Sequence, residues 1–209
     1  MSDEKTPNQF IEPFLPEIFD QEATGILTDL MGCPAISLHL MTADEDGIAK
    51  VKQYIINIFY DYYRLGLLRI AAIQKMPEQD ELMAYAMLIT YPRATHIACI
   101  HKIYVYEPYR GHGIGKQLLE DIVLQAGFKG LTLVCLPELV PFYKKHGFKA
   151  VGGMFIGPGE DKFSMTQFMY VGLERMVHGD VPASGFPIFM LNDVDAKAII
   201  QLLNGAGVQ

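Results

Sequence analysis

Three places in this sequence carry side chains able to do chemistry: His101, the run Arg110-Gly111-His112-Gly113-Ile114-Gly115-Lys116, and Tyr143. The run is the most informative. It follows an apolar stretch rich in β-branched and aromatic residues that ends at Glu107-Pro108. It leads into a helical pattern at Leu118, Leu119, Ile122, Val123 and Ala126. Strand, glycine-spaced loop and helix in that order make an anion site. The glycines admit close backbone approach, and the first N–H groups of the helix point outward at the positive end of its dipole. The stretch therefore predicts a phosphorylated ligand.

Two familiar phosphate loops do not fit. A dinucleotide fingerprint requires G-x-G-x-x-G, but counting from Gly111 the third glycine position holds Lys116. A nucleotide-hydrolase loop requires G-x-x-x-x-G-K-[ST]. Gly115-Lys116 matches its end, yet Arg110 stands at the first glycine and Gln117 at the hydroxyl residue.

Arg110-x-x-Gly113-x-Gly115 after a strand resembles the R-x-x-G-x-G/A signature of the GNAT superfamily of acyl-CoA N-acyltransferases. A second stretch, Pro141-Phe142-Tyr143-Lys144-Lys145-His146-Gly147-Phe148, is similar to that superfamily's helix ending in a tyrosine followed by Gly-Phe. The resemblance implies acetyl-CoA as co-substrate. Backbone N–H groups of Gly111, His112, Gly113, Ile114, Gly115 and Lys116 would take the pyrophosphate, and Arg110 and Lys116 add positive charge. The backbone of Ile103, Tyr104 and Val105 would pair with the amides of the pantetheine arm as an added strand does. The central strand and its successor are expected to splay apart between Val105 and Val134. Two departures stand out: the usual proline comes one residue late, at Pro108, and Leu136 replaces an asparagine often found before the helical tyrosine.

Acetylating an amine needs a neutral amine and a proton for the departing thiolate. The resemblance assigns Tyr143 as general acid, and a tyrosine phenol is protonated at neutral pH. His101, nine residues before Arg110, is the candidate base. It matches a histidine of arylalkylamine N-acetyltransferases, and strict alternation places it on the strand face of Ile103 and Val105. A tyrosine holding a helix end and a histidine satisfied on a strand are the structural alternatives. Glu107 is a weaker base. Cys99 and Cys135 read as small apolar residues rather than acyl carriers.

The elements that position these groups follow from pattern. The 209 residues carry a net charge of −7, which argues against sequence-independent nucleic-acid binding. Three scattered cysteines make neither a disulfide framework nor a zinc site, so no metal is called for. A polar start and the lack of a long apolar run predict a cytoplasmic chain without a membrane span.

Residues 1–34 read as an extension, extended through the prolines at 13 and 16 and then helical from Gln21 to Met31 behind Asp20. Its apolar content must pack on its own domain or on a second copy in a homodimer. Alternation at 36–41 predicts a strand. A capping box, Thr42 with Glu45, opens a long aromatic helix to Gly66. Strands follow at 69–75, 82–91 and before the loop, then a helix to Gly127, a strand at 131–136, a short helix to Gly147, and strands at 148–156 and 164–173. Asp193 caps a last helix. The fold class is α/β with a mixed sheet, a GNAT-like acyl-CoA N-acyltransferase fold over 35–175, with a further extension at 176–209. The function implied is acetyl transfer from acetyl-CoA to a primary amine of a small molecule or peptide in a ternary complex. The other reading is a non-catalytic acyl-CoA-binding or regulatory module on the same fold.

Overall fold

The computed structural model describes residues 11–75, 81–91, 96–153, 165–181 and 188–205. The chain divides into two compact units, one of Met1–Pro16, Tyr62–Gly152 and Glu174–Phe189, the other of Glu17–Asp61, Gly153–Leu173 and Met190–Gln209.

The first unit holds a sheet of β1 (Leu68–Lys75), β2 (Glu81–Thr90), β3 (Ile97–Val105), β4 (Gly130–Cys135), β5 (Lys149–Gly153) and β6 (Glu174–Gly179), in the order β1-β2-β3-β4-β6-β5. The β1–β2, β2–β3 and β4–β6 pairs are antiparallel, whereas β3 and β4 run parallel. That pairing requires a crossover, supplied by α4 (Ile114–Gln125). Leu118, Leu119 and Ile122 of this helix pack on Ala86, Leu88, Ile100 and Leu131. A short α5 (Val140–Lys145) follows a 3₁₀ turn at Pro137–Leu139.

The second unit is helical. It contains α1 (Leu15–Leu30), α2 (Pro34–Thr42), most of α3 (Glu45–Arg64), a 3₁₀ helix at Met165–Tyr170 and α6 (Asp193–Leu203). Phe19 stacks on Phe59 at 5.6 Å and meets Tyr60 edge-on at 4.8 Å, so part of the aromatic stripe of α3 is core. The Tyr54 hydroxyl donates to Asp195 Oδ1 at 2.9 Å.

Several sequence expectations change. The run 36–41 is helical. Ile36, Leu38 and Leu40 alternate like a strand, but Ile36 and Leu40 are buried four residues apart while Leu38 is 66% exposed. Helix α1 begins at Leu15 after a 3₁₀ turn, because Pro13 and Pro16 lie in first turns, where a missing N–H costs nothing. The cap of α3 is Asp44, whose Oδ1 accepts the Gly47 N–H at 2.8 Å. The Thr42 hydroxyl instead donates back to Leu38 O at 3.0 Å. Asn192, not Asp193, caps α6, in a capping box with Asp195. The strand expected at 164–173 is the 3₁₀ helix, anchored by Met165 N–H on Asp193 Oδ1 (2.8 Å) and the Thr166 hydroxyl on Leu191 O, and the strand comes later as β6. The connection at 76–80 and the end of the strand expected to reach residue 156 lie outside the described residues.

Candidate functional site

The site begins where β3 and β4 part. They pair only at Ile97↔Gly130, Ala98↔Leu131 and Cys99↔Thr132. Beyond that point β3 continues along β2 as far as Ala84↔Val105, and β4 continues along β6 to Cys135↔Glu174. Among the described residues an open edge therefore runs from Ile100 to Val105. Tyr106 N–H donates to Met83 O at 3.0 Å, which sets the alternation of the antiparallel ladder. Tyr104 and Tyr106 turn their backbone groups to β2, and Ile103 and Val105 turn theirs to the open edge.

At the end of this edge the chain makes a 3₁₀ turn at Glu107–Tyr109 and enters the glycine loop. Gly111 and Gly113 both have φ of +79°, a conformation that favours glycine. Gly113 is the N-cap of α4 and offers no side chain to the helix. The first intrahelical bond is Gln117 N–H to Gly113 O, at 3.0 Å. The N–H groups of Ile114, Gly115 and Lys116 thus have no intrahelical acceptor, and the first turn bears no acidic side chain. Such an arrangement can accept an anion. Gly115 lets α4 approach the strand, since a Cβ there would stand 3.2 Å from Val105 Cγ2.

The charged groups of the loop are not all directed outward. Arg110 Nε donates to Val105 O at 3.0 Å, and its guanidinium carbon lies 5.6 Å from the centre of the Tyr104 ring. His112 Nδ1 lies 2.9 Å from Arg110 O; a carbonyl only accepts, so this nitrogen carries a proton. Lys116 Nζ is 3.8 Å from Glu120 Oε1, which is also 3.6 Å from His146 Nδ1.

Tyr143 lies on α5, half-buried against the same apolar cluster that contains Cys135, Ile103 and Val105. Phe142 and Phe148 flank its ring at 5.2 and 5.7 Å. Burial, and then the neighbouring Cys135, push its phenol up to about 12. Its carbonyl accepts from His146 N–H (3.0 Å) and Phe148 N–H (3.2 Å), and Gly147 at φ +83° turns the chain into β5. Burial likewise pushes the thiols of Cys99 and Cys135 up to about 11, which disfavours the nucleophilic thiolate.

His101 is on the other face of the sheet, a correction to strict alternation. Leu88 pairs with Ile100 and Met87 with Lys102, so His101 is the extra residue of a β-bulge. One added residue flips the alternation: Ala98, Ile100, Ile103 and Val105 all meet the α4-facing cluster, while His101 does not. Its ring instead meets Phe189 edge-on at 4.6 Å, and Phe189 meets Tyr62 at 6.1 Å. The structure thus gathers the glycine loop, the open edge and Tyr143 about one cluster, and leaves His101 on the opposite face of the sheet against Phe189. Glu107 is exposed in its turn. Phe189 had no sequence signal, since it lies in a proline- and glycine-bearing stretch without periodicity. Among the described residues no group of three or more His, Cys, Asp or Glu is placed to hold a metal ion, and no helix is long and apolar enough to cross a membrane.

Residues 70–150 match the family model for the acetyltransferase (GNAT) domain. The serotonin N-acetyltransferase of Macaca mulatta is 30% identical over 107 residues, which are 49% of this chain and 52% of that protein, so the chain spans about half the length of the curated relative it matches. Among solved structures, a GNAT family acetyltransferase from Elizabethkingia anophelis with acetyl-CoA bound is 18% identical with a TM-score of 0.43, covering 59% of this chain and 82% of that one. An acetyltransferase of the GNAT family from Staphylococcus aureus Mu50 is 16% identical with a TM-score of 0.44, covering 77% and 92%.

Proposed function

We propose that the protein, whose residues 70–150 match the family model for the acetyltransferase (GNAT) domain, transfers an acetyl group from acetyl-CoA to a primary amine within a ternary complex. The observation that carries this reading is the ending of β3–β4 pairing at Cys99↔Thr132, with an uncapped, glycine-led helix start at the far end of the exposed edge. An extended chain of amides fits beside Ile103 and Val105, and its pyrophosphate fits the N–H groups from Gly111 to Lys116.

The thioester supplies the activated acyl group. Tyr143, held protonated by its burial, donates its phenolic proton to the sulfur as the C–S bond breaks. His101 takes a proton from the substrate ammonium, directly or through water, to give the neutral amine that attacks the thioester. The second proton that the nitrogen sheds restores the Tyr143 phenol. The acid on one face and the base on the other suit direct attack of amine on thioester, with no acyl-enzyme; the disfavoured thiolates of Cys99 and Cys135 support this. The similarity to a serotonin N-acetyltransferase brings arylalkylamines to the head of the acceptor candidates.

The test is a panel of amines with detection of free CoA thiol, alongside thermal unfolding with acetyl-CoA. Ligand at a hundred times its dissociation constant should stabilise by about 2.7 kcal/mol. Stabilisation without thiol release from any amine would favour a non-catalytic acyl-CoA-binding module. The absence of both effects would sink the proposal.

A further inference from the structure

Arg110 is tied to the protein at three points. Its backbone N–H donates to Glu107 O at 3.2 Å, its carbonyl accepts from His112 Nδ1 at 2.9 Å, and its Nε donates to Val105 O at 3.0 Å. Its guanidinium also lies over the Tyr104 ring. Val105 O faces the open edge of β3, by the alternation that Tyr106 N–H and Met83 O set. It is the last strand acceptor on that edge, and Arg110 already occupies it with a charge-assisted bond. What the edge presents to an incoming amide chain is therefore the backbone of Ile103 and the N–H of Val105. A guanidinium with its inner nitrogen committed and its face on a tyrosine is held against the strand, not poised in the loop as a free cation.

We propose that Arg110 is a positioning residue that closes the open edge at Val105 and so fixes the register in which the donor's amide arm pairs with β3. Its contribution comes through the strand and is independent of the donor's phosphates. This rests on the acyl-CoA reading of the site. A neutral side chain with one well-placed N–H should do much of the same work, whereas a phosphate contact needs the charge.

The two roles separate on two donors and two variants. The donors are acetyl-CoA and S-acetylpantetheine, which shares the thioester and amides but lacks the pyrophosphate. The variants of the full chain are Arg110→Met and Arg110→Gln. For Arg110→Met, kcat/KM should fall about tenfold for both donors alike, with kcat at saturating acetyl-CoA unchanged, as losing one such hydrogen bond implies. Arg110→Gln should recover most of that loss for both. A loss confined to acetyl-CoA, or one that Gln does not recover, overturns the assignment. If the wild-type protein transfers acetyl to no amine, the acetyl-transfer reading fails by itself. The Arg110 bond is then read in the unliganded protein by amide-region NMR, where an Arg110 Nε–H that exchanges as fast as a free guanidinium overturns it.

Discussion

Gly115 lies against Val105 with no side chain between the first turn of α4 and the end of β3: a Cβ on residue 115 would stand 3.2 Å from Val105 Cγ2. Alanine in place of a helical glycine ordinarily gains about 1 kcal/mol. Here that gain meets a β-branched neighbour with a stiff χ1, which has little freedom to withdraw. We therefore expect Gly115→Ala to show none of the usual gain, and Gly115→Val to destabilise by about 1–3 kcal/mol through overpacking. Val105→Ala should relieve both. A double-mutant cycle by chemical denaturation measures the coupling, and additive effects would show that the two residues do not press on each other.

Gly113 poses a different problem. Among the described residues nothing lies within 4 Å of a Cβ built there, yet its φ is +79°. Gly113→Ala should cost about 1–3 kcal/mol through backbone strain alone. Because the same residue begins α4, acetyl-CoA affinity should fall with it. If stability is unchanged, the loop has another conformation available to it.

Burial raises Tyr143 to about 12, and with it the neutral, proton-donating form extends far above neutral pH. Tyr143→Phe should lower kcat about a hundredfold or more while leaving acetyl-CoA affinity near its wild-type value. The rate should also show no alkaline limb from this group below about pH 11, since the phenol loses its proton only near its raised pKa. Steady-state kinetics across pH, with acetyl-CoA binding measured separately, checks both parts. A fall in affinity with kcat intact would return Tyr143 to a packing role.

The same burial makes a prediction about folding. Cys99 and Cys135 rise to about 11 and Tyr143 to about 12, above their unfolded values near 9 and 10. The folded chain holds these protons more tightly than the unfolded one, so their contribution is complete below about pH 9 and is lost as pH climbs towards 12. Unfolding temperature should decline over that window. Cys99→Ala should flatten the early part of the decline; an identical slope in this variant would mean that Cys99 does not hold its proton as burial dictates.

What the sequence disclosed and withheld divides along physical lines. The glycine loop, α4 and the Tyr143 helix are written in local pattern: glycines where φ is positive, apolar residues at helical spacing, and Gly147 at a helix end. The helix α2 was hidden because Ile36, Leu38 and Leu40 satisfy the strand period as well as part of the helix period, and burial of Ile36 and Leu40 decided it. The caps slipped by one or two residues, from Thr42 to Asp44 and from Asp193 to Asn192, because several oxygen-bearing side chains compete at each helix start. Two features of the site were beyond reach. A β-bulge leaves no mark in the residues Cys99 to Lys102, and it alone moves His101 to the other face. Phe189 is brought to His101 by the chain's return after β6, which no local pattern encodes.

His101 and Phe189 supply the last prediction. A ring packed edge-on at 4.6 Å limits how the imidazole can turn, so Phe189 should govern where the candidate base points. His101→Gln should remove the acidic limb of the pH–rate profile, as expected for a base that must be neutral to act. Phe189→Leu keeps apolar bulk but removes the flat ring edge. It should lower kcat while preserving the acidic limb, because the base remains and only its aim is lost. Profiles of kcat against pH for the two variants distinguish the cases. An acidic limb that persists in His101→Gln would assign the proton acceptance to another group, with Glu107 or a water chain next to be tested.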